Sequence, residues 1–111
     1  MTSKEDIVKA LSKIKEKVEL PSNKATFSSF TKTIQFTFTD LQTSFYLEIE
    51  KGVVKKLLES SSERPDITIF SDSDTFLDVV NKKLSPVNAY STGKLKVQGS
   101  ILDLLKLQKL L

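Results

Sequence analysis

The stretch from Gly93 to Leu111 (GKLKVQGSILDLLKLQKLL) carries more apolar side chains than one face of a helix can hold. Lys94 to Gln98 alternates polar and apolar residues between two glycines, the period-two pattern of a short half-buried strand. Ser100 then stands where it can cap a helix containing Ile101, Leu102, Leu104, Leu105, Leu107, Leu110 and Leu111. At about 100° per residue these positions fall around most of the wheel, whereas packing on a sheet needs a single stripe. Part of that surface must meet something other than the domain's own core, such as a lipid, a partner chain or a membrane. Leu107 and Leu110 sit nearer the Asp103/Lys106 side and are expected to face outward, with Leu105 inward.

Upstream, the periodicity is easier to assign. Ile7, Leu11, Ile14 and Val18 repeat at four-three-four spacing, which predicts a helix over residues 3–19 with Thr2 and Glu5 at capping-box positions. Leu20-Pro21 ends it. A Ser/Thr/Asn-rich link from Pro21 to Lys32 carries Phe27 and Phe30, expected to fold back on the core. Ile34, Phe36 and Phe38 alternate with polar residues, as do Phe45, Leu47 and Ile49 after the Asp40–Thr43 turn. Lys51-Gly52 supplies a hairpin turn into a third strand, Val53 to Leu58, and Ile67 and Ile69 begin a fourth after a polar loop.

Beyond it the period returns to helical. Ser71 or Asp72 is placed to cap a helix whose Phe76, Leu77, Val80 and Leu84 share one face. Ser85-Pro86 opens a second short helix, ended by Gly93. This order of elements argues for one α+β domain over residues 1–111, with a mostly antiparallel five-stranded sheet and helices on one face.

Composition narrows the chemistry. With no cysteine and no histidine, the chain has no disulfide, thiolate zinc site, Cys-His dyad or Ser-His-Asp triad. No metal or cofactor is expected, and Asp72 and Asp74 at a helix start serve the macrodipole instead. Net charge is only +3, and the lysine pairs lack the aromatic interleaving of a nucleic-acid platform. Residues 1–6 do not read as a signal peptide, and no apolar run approaches the roughly 20 residues of a membrane span. A cytoplasmic, non-enzymatic domain is expected.

The segment GKLKVQGSILDLLKLQKL resembles the C-terminal signature of the sterol carrier protein 2 family. The likeness extends upstream through Pro65-Asp66-Ile67-Thr68-Ile69, Asp74-Thr75-Phe76-Leu77 and Leu84-Ser85-Pro86. Members commonly carry Gly where this chain has Lys82, and its final Lys109-Leu110-Leu111 is not a Ser-Lys-Leu peroxisomal address. The resemblance implies an α+β fold enclosing an apolar tunnel for fatty acids, fatty acyl-CoA or sterol-like lipids. On this chain the tunnel wall would comprise Phe76, Leu77, Val80, Leu84, Val87, Tyr90, Ile101, Leu102 and Leu105. Tyr90 offers a hydroxyl handle there, or is a core tyrosine satisfied by backbone. The lysine face of the first helix suits transient contact with an anionic membrane, or is a solvated surface. The alternative function is an interaction module whose leucine-rich helix forms a homodimer or shapes a partner enzyme's substrate channel.

Overall fold

A computed structural model describes residues 2–62 and 64–110, with the side chains of Ile101 and Leu104 outside the description. Helix α1 spans Lys4–Val18, and a 3-10 turn at Pro21–Asn23 runs into the short helix α2, Lys24–Phe27. Strands β1 (Lys32–Phe38), β2 (Thr43–Glu50), β3 (Val53–Leu58) and β4 (Ile67–Ser71) follow. Then come α3 (Ser73–Val80), α4 (Pro86–Ser91), β5 (Leu95–Gln98) and α5 (Ile101–Leu107). The α+β class, the five strands and the third strand's bounds are as the sequence predicts.

The sheet order is β3-β2-β1-β4-β5. Every neighbouring pair is antiparallel except β1 and β4, which run parallel with Phe36 opposite Ile69. A parallel neighbour cannot be reached by a tight turn. The segment after β3 therefore crosses the sheet's outer face, where the Ser62 amide donates to Gln35 Oε1 at 2.9 Å. It reaches β1 where the Thr33 amide donates to Asp66 Oδ2 at 2.8 Å.

The opposite face holds the core. Alternation puts Ile34, Phe36, Phe38, Phe45, Leu47, Ile49, Ile67 and Ile69 on one side, all buried. The α1 stripe of Ile7, Ala10, Leu11, Ile14 and Val18 belongs to the same cluster. Phe76 of α3 meets Phe36 and Phe38 edge-on, with ring centroids 5.4 and 5.1 Å apart. Phe27 and Phe30 do fold back, buried and edge-to-face with each other.

The helix caps refine the sequence reading. The capping box on α1 is Ser3 with Asp6, not Thr2 with Glu5, because the helix begins one residue later than that pairing requires. Asp72 caps α3. That helix stops at Val80, so Leu84 lies beyond it, and Lys82 takes φ +63 to close the end without a glycine.

Asp40, in the β1–β2 turn, accepts from the Ser73 amide at 2.8 Å and from the Ser73 hydroxyl, tying that turn to the start of α3. Desolvation pushes the Asp40 carboxyl up, but the Ser73 and local backbone donors outweigh it and leave it below its ordinary 3.8. A depressed carboxyl stabilises the fold above its unfolded value, and that contribution is lost as pH falls through the folded value. Asp40→Ala is expected to lose about 1 kcal/mol near neutral pH, because solvent around this exposed carboxylate screens it. In urea titrations its deficit against the parent should shrink below pH 3.8.

Candidate functional site

Between the sheet and the helices lies a void of about 10 Å³ lined, among the described residues, by Ile14, Phe36, Ile69, Leu107 and Leu110. Its floor is the inner face of β1 and β4, its wall is α1, and its cover is the C-terminal segment. Leu107 and Leu110 are 2% and 1% exposed and act as the plug. A site for a lipid body needs roughly 300–1,000 Å³, so in this conformation the apolar layer is closed.

Among the described residues, three polar contacts hold the cover to the strip running from α2 into β1. The Asp103 carboxylate pairs with the Lys32 ammonium. Lys106 Nζ stands 5.8 Å from the centroid of the Phe30 ring, and Lys109 Nζ donates to Thr26 Oγ1 at 2.8 Å. Asp103 is buried, whereas over a third of the Lys32 side chain is exposed. An ion pair taken partly out of water contributes little net stability but fixes register, because separating its members strands a charge.

These contacts reverse the expected faces of α5. Leu107 and Leu110 point inward, while Leu105 and Leu102 are 55% and 72% exposed. The physical reason is that Asp103 and Leu107 lie one helical turn apart on the same stripe, so pairing Asp103 with Lys32 turns Leu107 onto the core. Leu110, in the turn beyond α5, is held beside it by its amide's 2.9 Å bond to the Leu107 carbonyl.

The other sequence-predicted wall residues are dispersed. Phe76 and Val80 are buried in the core, and Leu77 and Leu84 pack partly buried against it. Val87 and Tyr90 of α4 are half exposed, so Tyr90 is not a core tyrosine here. Ile101's side chain lies outside the described residues. Sequence reasoning missed Phe36 and Ile69 as a floor and Ile14 as a wall, being ordinary core residues by pattern, and it missed Lys32 and Asp103. One signal was available: Asp103 is the sole acidic residue among positions 79–111.

Elsewhere, a solvent-open groove of about 390 Å³ runs between the end of α1 and the β2–β3 turn, bordered by Leu20, Phe27, Lys24, Lys51 and Val53. Lys17 is held below the ordinary lysine range by burial, then by neighbouring Lys82 and Lys13. Among the described residues there is no acidic cluster that could hold a metal, and no helix is long and apolar enough to cross a membrane.

Comparison with known proteins places this arrangement. A 50-residue stretch, 45% of the chain, is 38% identical to mouse hydroxysteroid dehydrogenase-like protein 2, of whose length it covers 10%. The palmitated SCP2L2 structure from Aedes aegypti superposes with a TM-score of 0.71 at 19% identity, over 90% of this chain and 88% of that one. The stereoselective inverting sec-alkylsulfatase of a Pseudomonas species contains a similar fold, with a TM-score of 0.68 at 22% identity. That likeness spans 79% of this chain and 14% of the sulfatase. Residues 11–111 match the SCP-2 sterol transfer family, and the chain belongs to that family.

Proposed function

We propose that the chain is a non-enzymatic lipid-binding protein that takes an acyl chain, sterol or similar body into the layer between its sheet and helices. The observation carrying this reading is the wholly apolar void beneath Leu107 and Leu110, under a cover pinned by few polar contacts. Outward movement of the C-terminal segment would leave Ile14, Phe36 and Ile69 needing cover, and a ligand body supplies it. Covering that surface contributes about 25 cal/mol per Å² before association costs, with loose chemical selectivity. Phe76 and Val80 would border the deeper part of the opened layer, and Leu77 and Leu84 its rim. The palmitated mosquito relative supports the reading. Delipidated protein should bind a fluorescent fatty acid or sterol probe saturably at micromolar concentration without metal or nucleotide. A flat titration with both probes would overturn the reading.

A second reading is favoured by the exposure of Leu102 and Leu105, which form an apolar face on α5 with no partner among the described residues. As an interaction module, the chain would seat that face on a second copy or on an enzyme. Two relatives carry the matching region within a longer protein, which fits this use. Native mass separates the readings: a carrier retains lipid as a monomer, and a module doubles in mass without lipid. Leu102→Lys with Leu105→Lys should then split the dimer.

A further inference from the structure

The C-terminal segment sets a carboxylate and two leucines against the sheet in the order in which a fatty acid presents its head and tail. We propose that this segment is an internal stand-in for an anionic single-chain lipid, and that Lys32, once released from Asp103, receives the carboxylate of that ligand. The proposal rests on the lipid-binding reading above and adds to it the chemistry of the head group.

Lys32 has the same strand parity as Ile34 and Phe36, so all three belong to the inner face of β1. At about 3.3 Å per residue, Lys32 lies about 13 Å along the strand from Phe36, which floors the void. On the cover, Leu107 follows Asp103 by one helical turn, about 6 Å, and Leu110 comes after it in the turn beyond α5. Head and tail therefore run in the same order on the two sides.

Opening the cover removes both parts of the stand-in together. Phe36, Ile69 and Ile14 lose their leucines, and Lys32 loses its only ion-pair partner among the described residues. A neutral lipid restores the first loss alone. A carboxylate-bearing chain restores both, in a partly desolvated setting where charge-assisted bonds are strongest.

The test compares palmitic acid with cetyl alcohol, the same chain without the charge, on delipidated full-length protein. The parent should favour the acid by about tenfold or more. Lys32→Met should bind the two alike. Asp103→Asn should bind both several-fold more tightly than the parent, because the closed state loses its latch, while keeping the preference for the acid. The exchange variant Lys32→Asp/Asp103→Lys retains an ion pair to support the fold and should prefer cetylamine to palmitic acid. It decides alone if either single variant fails to fold. Equal affinity of the parent for acid and alcohol overturns the head-group assignment while leaving lipid binding intact. A preference for the acid that survives Lys32→Met or the exchange does the same, as does an Asp103→Asn variant that binds no tighter. Failure of the parent to bind any of the three chains overturns the head-group assignment, and if a sterol probe is also unbound the lipid-binding reading falls with it.

Discussion

Leu110→Asp is expected to cost several kcal/mol, whereas Leu105→Asp, five residues earlier, changes stability by less than about 0.5 kcal/mol. Leu110 is 1% exposed against Phe36, Ile69 and Ile14, and a carboxylate there has no partner and no water. Even Leu110→Ala, which only empties the site, should lose about 3 kcal/mol through lost burial and the enlarged void. For a domain of this size that lowers Tm by more than about 10 °C. Leu105 is more than half exposed, so its side chain gives up little on replacement. Thermal melts of the three variants beside the parent check the assignment. A Leu105→Asp protein less stable than Leu110→Asp would show that α5 turns its other face to the core.

Gly52→Ala should be the most damaging single-methyl change in the chain, at about 2–4 kcal/mol. Gly52 has φ +79, and a Cβ there would stand 2.7 Å from the Phe27 carbonyl oxygen and 3.3 Å from Ser28 Cα. Neither atom is the end of a flexible side chain. The Gly52 amide also donates to the Phe30 carbonyl at 3.2 Å, so backing the turn away would break the bond that docks it against the segment after α2. Gly93 provides the control. Its φ is +78, yet nothing lies within 4 Å of its Cβ direction, so Gly93→Ala should show only the left-handed penalty of about 1 kcal/mol. Urea midpoints of the two variants measure the difference, and equal losses would refute the close-approach argument.

The strands were legible because their signal is local. Ile34-Phe36-Phe38 and Phe45-Leu47-Ile49 each state a face by alternation, and the structure buries all six. The parallel pairing of β1 with β4 has no local signature, since it depends on where the crossover returns. The faces of α5 were illegible for a related reason. When leucines surround most of a wheel, periodicity cannot choose between orientations, and a single polar contact with a distant strand makes the choice. Here Asp103 meets Lys32, 71 residues away in sequence. Phe76 illustrates the opposite case: its helical stripe predicted burial correctly, but that burial is core packing against Phe36 and Phe38.

The strand order also governs how copies of this domain can meet. Its outermost strands, β3 and β5, each have a neighbour on one side only, the kind of template on which sheets grow from molecule to molecule, although the Val54 amide of β3 already donates to Glu19 Oε2 at 3.3 Å. Both rims are guarded. β3 carries exposed Lys55 and Lys56, and its pairing with β2 shifts register at Glu48/Ile49. β5 is only four residues long and carries exposed Lys96, with exposed Lys94 just before it. A second sheet arriving at either rim would bring lysine against lysine along a short or irregular seam. Edge-to-edge growth is disfavoured at both rims, which steers any self-association toward the helical side of the molecule and away from amyloid-like stacking.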